Sequence, residues 1–129
     1  MGLLTGCGKQ TATPVEVEDK VEDISTFNAD FEYSYIVQMG NDPYSYKDKI
    51  IRAKGLFGVQ YVGDNTYYGI VVYDQMGCCS VALEFVPTDT EKLPADGEEI
   101  VVQGKFGGYR EGDNICFALM DAEIINDCE

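Results

Sequence analysis

The chain has 129 residues, enough for one domain with one core. It carries 23 acidic residues against 9 basic ones, a net charge of −14, with no histidine and no tryptophan. Nucleic-acid binding rests on neutralising phosphates with Lys and Arg, so this balance predicts no nucleic acid as partner and disfavours anionic lipid headgroups, while cations, basic proteins and neutral ligands stay open.

No stretch is apolar for long enough to span a bilayer. Leu3 to Lys9, LLTGCGK, resembles the lipobox that closes a bacterial lipoprotein signal: Leu, a small polar residue, Gly and Cys. In that reading residues 1–7 are the remnant of the signal and Cys7 is the lipidated N-terminus. Residues 8–27 follow as a flexible polar tether, rich in charge and free of apolar periodicity. Two or three acyl chains on Cys7 hold firmly. The resemblance therefore implies a domain lipid-anchored at the extracytoplasmic face of the cell membrane, where disulfides persist.

Residues 28–129 carry the pattern of a folded domain. A helix is expected from Asn28 or Asp30 to Met39: both are capping residues, and Gly40-Asn41-Asp42-Pro43 ends it. Phe31, Tyr35 and Met39 recur at four-residue spacing with Ile36 beside them, which predicts a core-facing stripe. From Lys49 the period changes to two. Ile51, Ala53, Gly55 and Phe57 share one face of a first strand, Arg52 and Lys54 the other. A second strand runs from about Thr66 to Tyr73 after the turn cluster Val62-Gly63-Asp64-Asn65. The third is CCSVALEFV, with Cys79, Val81, Leu83 and Phe85 on one face. After a connection over Pro87–Gly97, a fourth strand spans about Glu99–Tyr109 and a fifth about Asn114–Ile125, joined by Arg110-Glu111-Gly112-Asp113.

One internal echo points to a particular barrel. IRAKGLFG from Ile51 and VVQGKFG ending at Gly107 align at an offset of 49 residues: Ile51 with Ile100, Ala53 with Val102, Gly55 with Gly104, Phe57 with Phe106. Glycine inside a strand packs nothing and marks a bulge or tight bend. The first and fourth strands of an OB-fold both need such bends. The expected fold is thus mainly β, a five-stranded OB-fold-like Greek-key barrel preceded by one N-terminal helix.

The segments PYSYKDKIIRAKGLF, YYGIVVYD, CCSVALEFV, LPADGEEIVVQGKFGGY and DAEI carry a family likeness. Over Tyr44 to Ile125 the chain resembles the OB-fold domains of small Gram-positive-type lipoproteins, related in shape to tRNA-anticodon-binding-like domains. Soluble regions associated with certain permeases look similar and share the adjacent cysteine pair. The resemblance implies a fold and an address, with no ligand attached.

Four further cysteines remain beyond Cys7, and three readings are open for them. Neighbours in an extended strand point to opposite faces, so Cys78 and Cys79 cannot clasp one ion without help from Cys116, Cys128, Asp74 or Glu84. A redox pair would prefer Cys-x-x-Cys at a helix N-terminus. The favoured reading is structural: one of the pair bonds Cys116 or Cys128. Among the aromatics, Tyr61, Tyr67, Tyr73 and Tyr109 are the candidate ligand face, because OB-folds bind along their second and third strands with aromatic platforms. Tyr67 and Tyr73 fall on one side of the second strand with Val71 between them; Tyr68 falls on the other. Without histidine, Ser-His and Cys-His catalysis are excluded, and no phosphate-binding Gly-rich loop opens a helix. The expectation is a non-enzymatic, cofactor-free binding module that holds a protein partner or small ligand. The alternative is a metal-handling accessory protein acting through Cys78 and Cys79.

Overall fold

Period-two patterning resolves into strands wherever one face must be buried. The structure, a computed structural model, describes residues 20–125; Cys7, the lipobox, most of the expected tether and Cys128 lie outside the described residues. The elements are β1 (Val21–Asp23), α1 (Ala29–Asn41), a 3-10 turn at Pro43–Ser45, β2 (Ile50–Val62), β3 (Asn65–Tyr73), β4 (Ser80–Pro87), β5 (Glu99–Glu111) and β6 (Asn114–Ile125). Strands β2 to β6 close a barrel in the order β2-β3-β4-β6-β5, with β5 returning to pair with β2. β4 and β6 run parallel and the other barrel neighbours antiparallel. This is the OB-fold-like Greek-key barrel with one leading helix that the strand pattern predicts.

Two of its corners follow from single glycines. Gly63 (φ 60°) and Gly112 (φ 61°) sit in two-residue turns, with Val62 paired to Asn65 and Glu111 to Asn114. Such turns need a positive φ to match the twist of the flanking strands. The internal echo has a structural meaning as well. Its two copies pair with each other antiparallel, Ile51 opposite Gly104, Ala53 opposite Val102, and Gly55 opposite Ile100. At both glycines another strand crosses closely. A Cβ on Gly55 would lie 2.9 Å from the Val71 carbonyl oxygen, and one on Gly104 2.9 Å from that of Met120.

The inward rows meet in one core, in which Ile51, Ile70, Phe85, Val102 and Leu119 are almost wholly buried, with Ile36 and Met39 added from α1. Each such side chain contributes roughly 1.5–3 kcal/mol on burial. Tyr68 points inward against Phe57 and Phe85, as its alternation with Tyr67 requires.

The N-terminal part of the domain departs from expectation in two places. The tether expected over 8–27 ends earlier, because Val21–Asp23 pairs in parallel with β2 and the buried Ile24 donates its N–H to the Arg52 carbonyl at 2.8 Å. α1 is capped as expected, with Asn28 Oδ1 accepting the Phe31 N–H at 2.9 Å. Its buried stripe, however, is Glu32, Ile36 and Met39, and Phe31 stays 65% exposed. The reason is a backbone debt on β2. The parallel ladder with β1 stops at Ile24, and the next donor along that edge, Lys54 N–H, goes to the Glu32 carboxylate at 2.6 Å. A buried N–H left without a partner costs about 1–3 kcal/mol, so a carboxylate occupies a position that periodicity assigns to an apolar residue.

Candidate functional site

In β3 the residues Ile70 and Val72 face the core, which leaves Tyr67, Gly69, Val71 and Tyr73 outward; in β4 Leu83 and Phe85 face inward and leave Ala82 and Glu84 outward. Gly69 and Glu84 are directly paired. Because Gly69 has no side chain, the sheet is left open above Glu84. The β2–β3 turn rises on one side of this face and the β5–β6 turn on the other. Between them lies a groove of about 680 Å³ whose walls include Val59, Tyr67, Val71, Glu84, Tyr109 and Glu111. That size lies within the range of small-ligand sites.

Two tyrosine–carboxylate pairs mark the groove. The Tyr109 hydroxyl donates to Glu84, 2.7 and 2.8 Å from its two carboxylate oxygens. The Tyr67 hydroxyl donates to Glu111 Oε2, and the Cys116 thiol lies 3.8 Å from Glu111 Oε1. Burial, and then the Glu84 hydrogen bond, raises the Tyr109 hydroxyl well above its ordinary value. The hydrogen bond to Glu111 is the main cause of the upward shift at Tyr67. Burial raises Glu84, against the pull of its Tyr109 bond. Both tyrosines therefore remain donors at neutral pH, and each carboxylate keeps acceptor capacity directed at the groove.

Of the four tyrosines expected on a ligand face, the structure brings Tyr67 and Tyr109 together here. Tyr61 is 75% exposed and outside the groove walls. Tyr73 lines a separate cleft of about 380 Å³ beside Glu32 and Gln75. Sequence reasoning named Glu84 only as a possible metal helper and missed Glu111. The available signal was that Glu84 falls between two inward residues of β4, so its side chain stands on the same outward face as Tyr67.

The cysteines depart from two expectations. Cys78 and Cys79 do not open a strand with one thiol on each face; they precede β4, in the β3–β4 turn, where Gly77 adopts φ 76°. The turn swings both thiols to one side, with the sulfurs 3.4 Å apart. The favoured bond to Cys116 is not formed: among the described residues Cys78, Cys79 and Cys116 are free thiols. Cys116 faces the groove beside Glu111, whereas the pair gathers around Asp74. A bond from the pair to Cys128 lies outside the described residues.

No protein-family model and no curated protein matches the chain. Among solved structures, the chain is similar to a protein of Klebsiella pneumoniae subsp. pneumoniae described as a "putative nucleic acid-binding lipoprotein". The identity is 13% and the TM-score 0.48, covering 91% of this chain and 100% of that one. Against that description, the expectation that nucleic acid is no partner is withdrawn. It rested on net charge, which is a sum over the whole chain and does not fix the sign of any one face. The outward side of the β2–β5 pair, for example, carries Arg52, Lys54 and Lys105 together with Glu99.

Proposed function

We propose that the chain is a binding module that holds a segment of a partner protein, or a small ligand, presenting amine or hydroxyl donors in the groove between the β2–β3 and β5–β6 turns. The observation that carries this reading is the pair of tyrosine-bound carboxylates, Glu84 and Glu111, on walls that also include Val59 and Val71. Their free lone pairs suit donors, and the apolar surface between them suits the ligand's carbon skeleton. A hydrogen bond from a charged donor to either carboxylate contributes about 1.5–3 kcal/mol. No histidine stands in the sequence to act as a near-neutral base, and the reading assigns no catalytic step.

The address in this proposal is the outer face of a membrane, reached through a lipid on Cys7. It is supported by the LLTGCGK stretch and the polar residues after it. Metabolic labelling with an alkyne fatty acid tests it, with label expected on the wild-type chain and lost in Cys7→Ser. Calorimetric titration with a short lysine-rich peptide tests the groove. Binding is expected to weaken about tenfold or more in Glu84→Gln, and equal affinity in the variant overturns the reading. In the same titration a single-stranded oligonucleotide probes the partner class that net charge had set aside.

A further inference from the structure

The β3–β4 turn holds a second cluster, on a different part of the barrel surface from the groove. Asp74 closes β3, and its backbone N–H donates to the Cys79 carbonyl at 3.0 Å. The Asp74 carbonyl accepts the Gly77 N–H at 2.9 Å, and Gly77 takes the left-handed conformation that turns the chain back. Asp74 Oδ1 then accepts the N–H groups of Cys78 at 3.1 Å and Cys79 at 3.4 Å. These bonds fix one carboxylate oxygen inside the turn and leave Oδ2 beside the thiols, 3.7 Å from Cys78 Sγ. The turn is in turn tied to the start of α1 by a 2.7 Å bond from the Gln75 N–H to Asp30 Oδ1.

We propose that Asp74, Cys78 and Cys79 form a binding site for one thiophilic divalent cation of the zinc and cadmium class. Ligand atoms from the three residues all lie within 4.8 Å of one another. A tetrahedral ion with metal–sulfur bonds of about 2.3 Å and a metal–oxygen bond of about 2.0 Å sets S···S edges near 3.8 Å and S···O edges near 3.5 Å. The observed 3.4 Å and 3.7 Å lie close to those edges, and the third edge, from Cys79 Sγ to the Asp74 carboxylate, is within 4.8 Å. Two thiolates and one carboxylate favour zinc or cadmium over calcium and magnesium, which take oxygen ligands. Because both cysteines are exposed, the fourth coordination position is open to water.

Proton release accompanies the binding. Asp74 from the turn and Tyr33 from α1 are the titratable groups that face the two thiols. Three groups that are anionic together repel one another, and a divalent cation relieves that repulsion. The cation displaces the thiol protons to solvent, so affinity climbs with pH. The site makes no use of the groove, and either proposal can fail without the other.

The test is titration of the whole chain, kept reduced with a phosphine, with cadmium and with zinc. Cadmium is read by the ultraviolet charge-transfer band of cadmium thiolates, and zinc by competition with a chromophoric chelator. One equivalent of cadmium is expected to complete the band, and both metals are expected to bind more tightly as pH rises. Asp74→Asn is expected to weaken binding about tenfold or more, and Cys78→Ser with Cys79→Ser to abolish it. Cys116→Ser is expected to leave it unchanged. Tyrosine circular dichroism of each variant reports whether the barrel is retained. A folded double-serine variant that binds like the wild type overturns the proposal, as does a wild-type chain in which cadmium raises no thiolate band.

Discussion

Replacing Glu32 by Gln removes a charge from inside the domain while keeping an acceptor for the Lys54 N–H. The Glu32 side chain is 3% exposed, and its carboxyl is raised from 4.5 to about 7. Burial is the main cause; the Lys54 N–H and the Lys54 charge oppose it, while Glu99 and Asp23 add to it. Between these two values the folded chain holds a proton that the unfolded chain has lost. The contribution to stability is therefore complete below about pH 4.5, declines through the interval, and is gone above about pH 7. A wholly sheltered carboxyl with this difference contributes roughly 3 kcal/mol. Glu32 lines the cleft beside Phe27, Ala29 and Gln75, and relaxation and water penetration on ionisation reduce the figure to about 1–2 kcal/mol. Urea unfolding followed by far-ultraviolet circular dichroism between pH 5 and pH 8 measures it. Wild type and Glu32→Gln are expected to match near pH 5, and the variant to be more stable by about 1–2 kcal/mol at pH 8. A wild-type advantage that grows from pH 5 to pH 8 would instead mean that the ionised form of Glu32 is the one the fold prefers.

The strand crossings make a second test. Gly55→Ala and Gly104→Ala each drive a Cβ to 2.9 Å from a carbonyl oxygen of another strand, at an expected loss of about 2–3 kcal/mol in urea unfolding. Gly58→Ala, with nothing within 4 Å of the added carbon, is expected to be neutral or stabilising by up to about 1 kcal/mol; similar losses at all three positions would contradict the close-approach account.

The barrel was legible because its information is local. Alternation in IRAKGLF and VALEF assigns faces without knowledge of the partner strand, and Gly63-Asp64 and Gly112-Asp113 carry their turns in two residues each. The repeated glycine was visible as an echo, although only the β2–β5 register explains why each copy needs it. What stayed hidden depends on distant partners. Glu32 is buried because β1 ends one donor short of Lys54, 22 residues further along the chain. Glu84 meets Tyr109 across 25 residues, so neither identifies the other in the sequence. The cysteine pair was misplaced for a different reason. Strand alternation reads on unbroken through Cys79, whereas the Asp74 carboxylate and the left-handed Gly77 hold that segment as a turn. A rule for strands then sent the two thiols to opposite faces.

Under the proposed function, ligand binds in the groove between the two hairpin turns. Amide chemical-shift mapping of the 15N-labelled chain, titrated with the lysine-rich peptide, examines it directly. Saturable shifts are expected at Tyr67, Gly69, Glu84, Tyr109 and Glu111, and they are expected to disappear in Glu84→Gln with Glu111→Gln while the rest of the spectrum is unchanged. Shifts confined to other surfaces, or a groove that responds equally in that double variant, would contradict it.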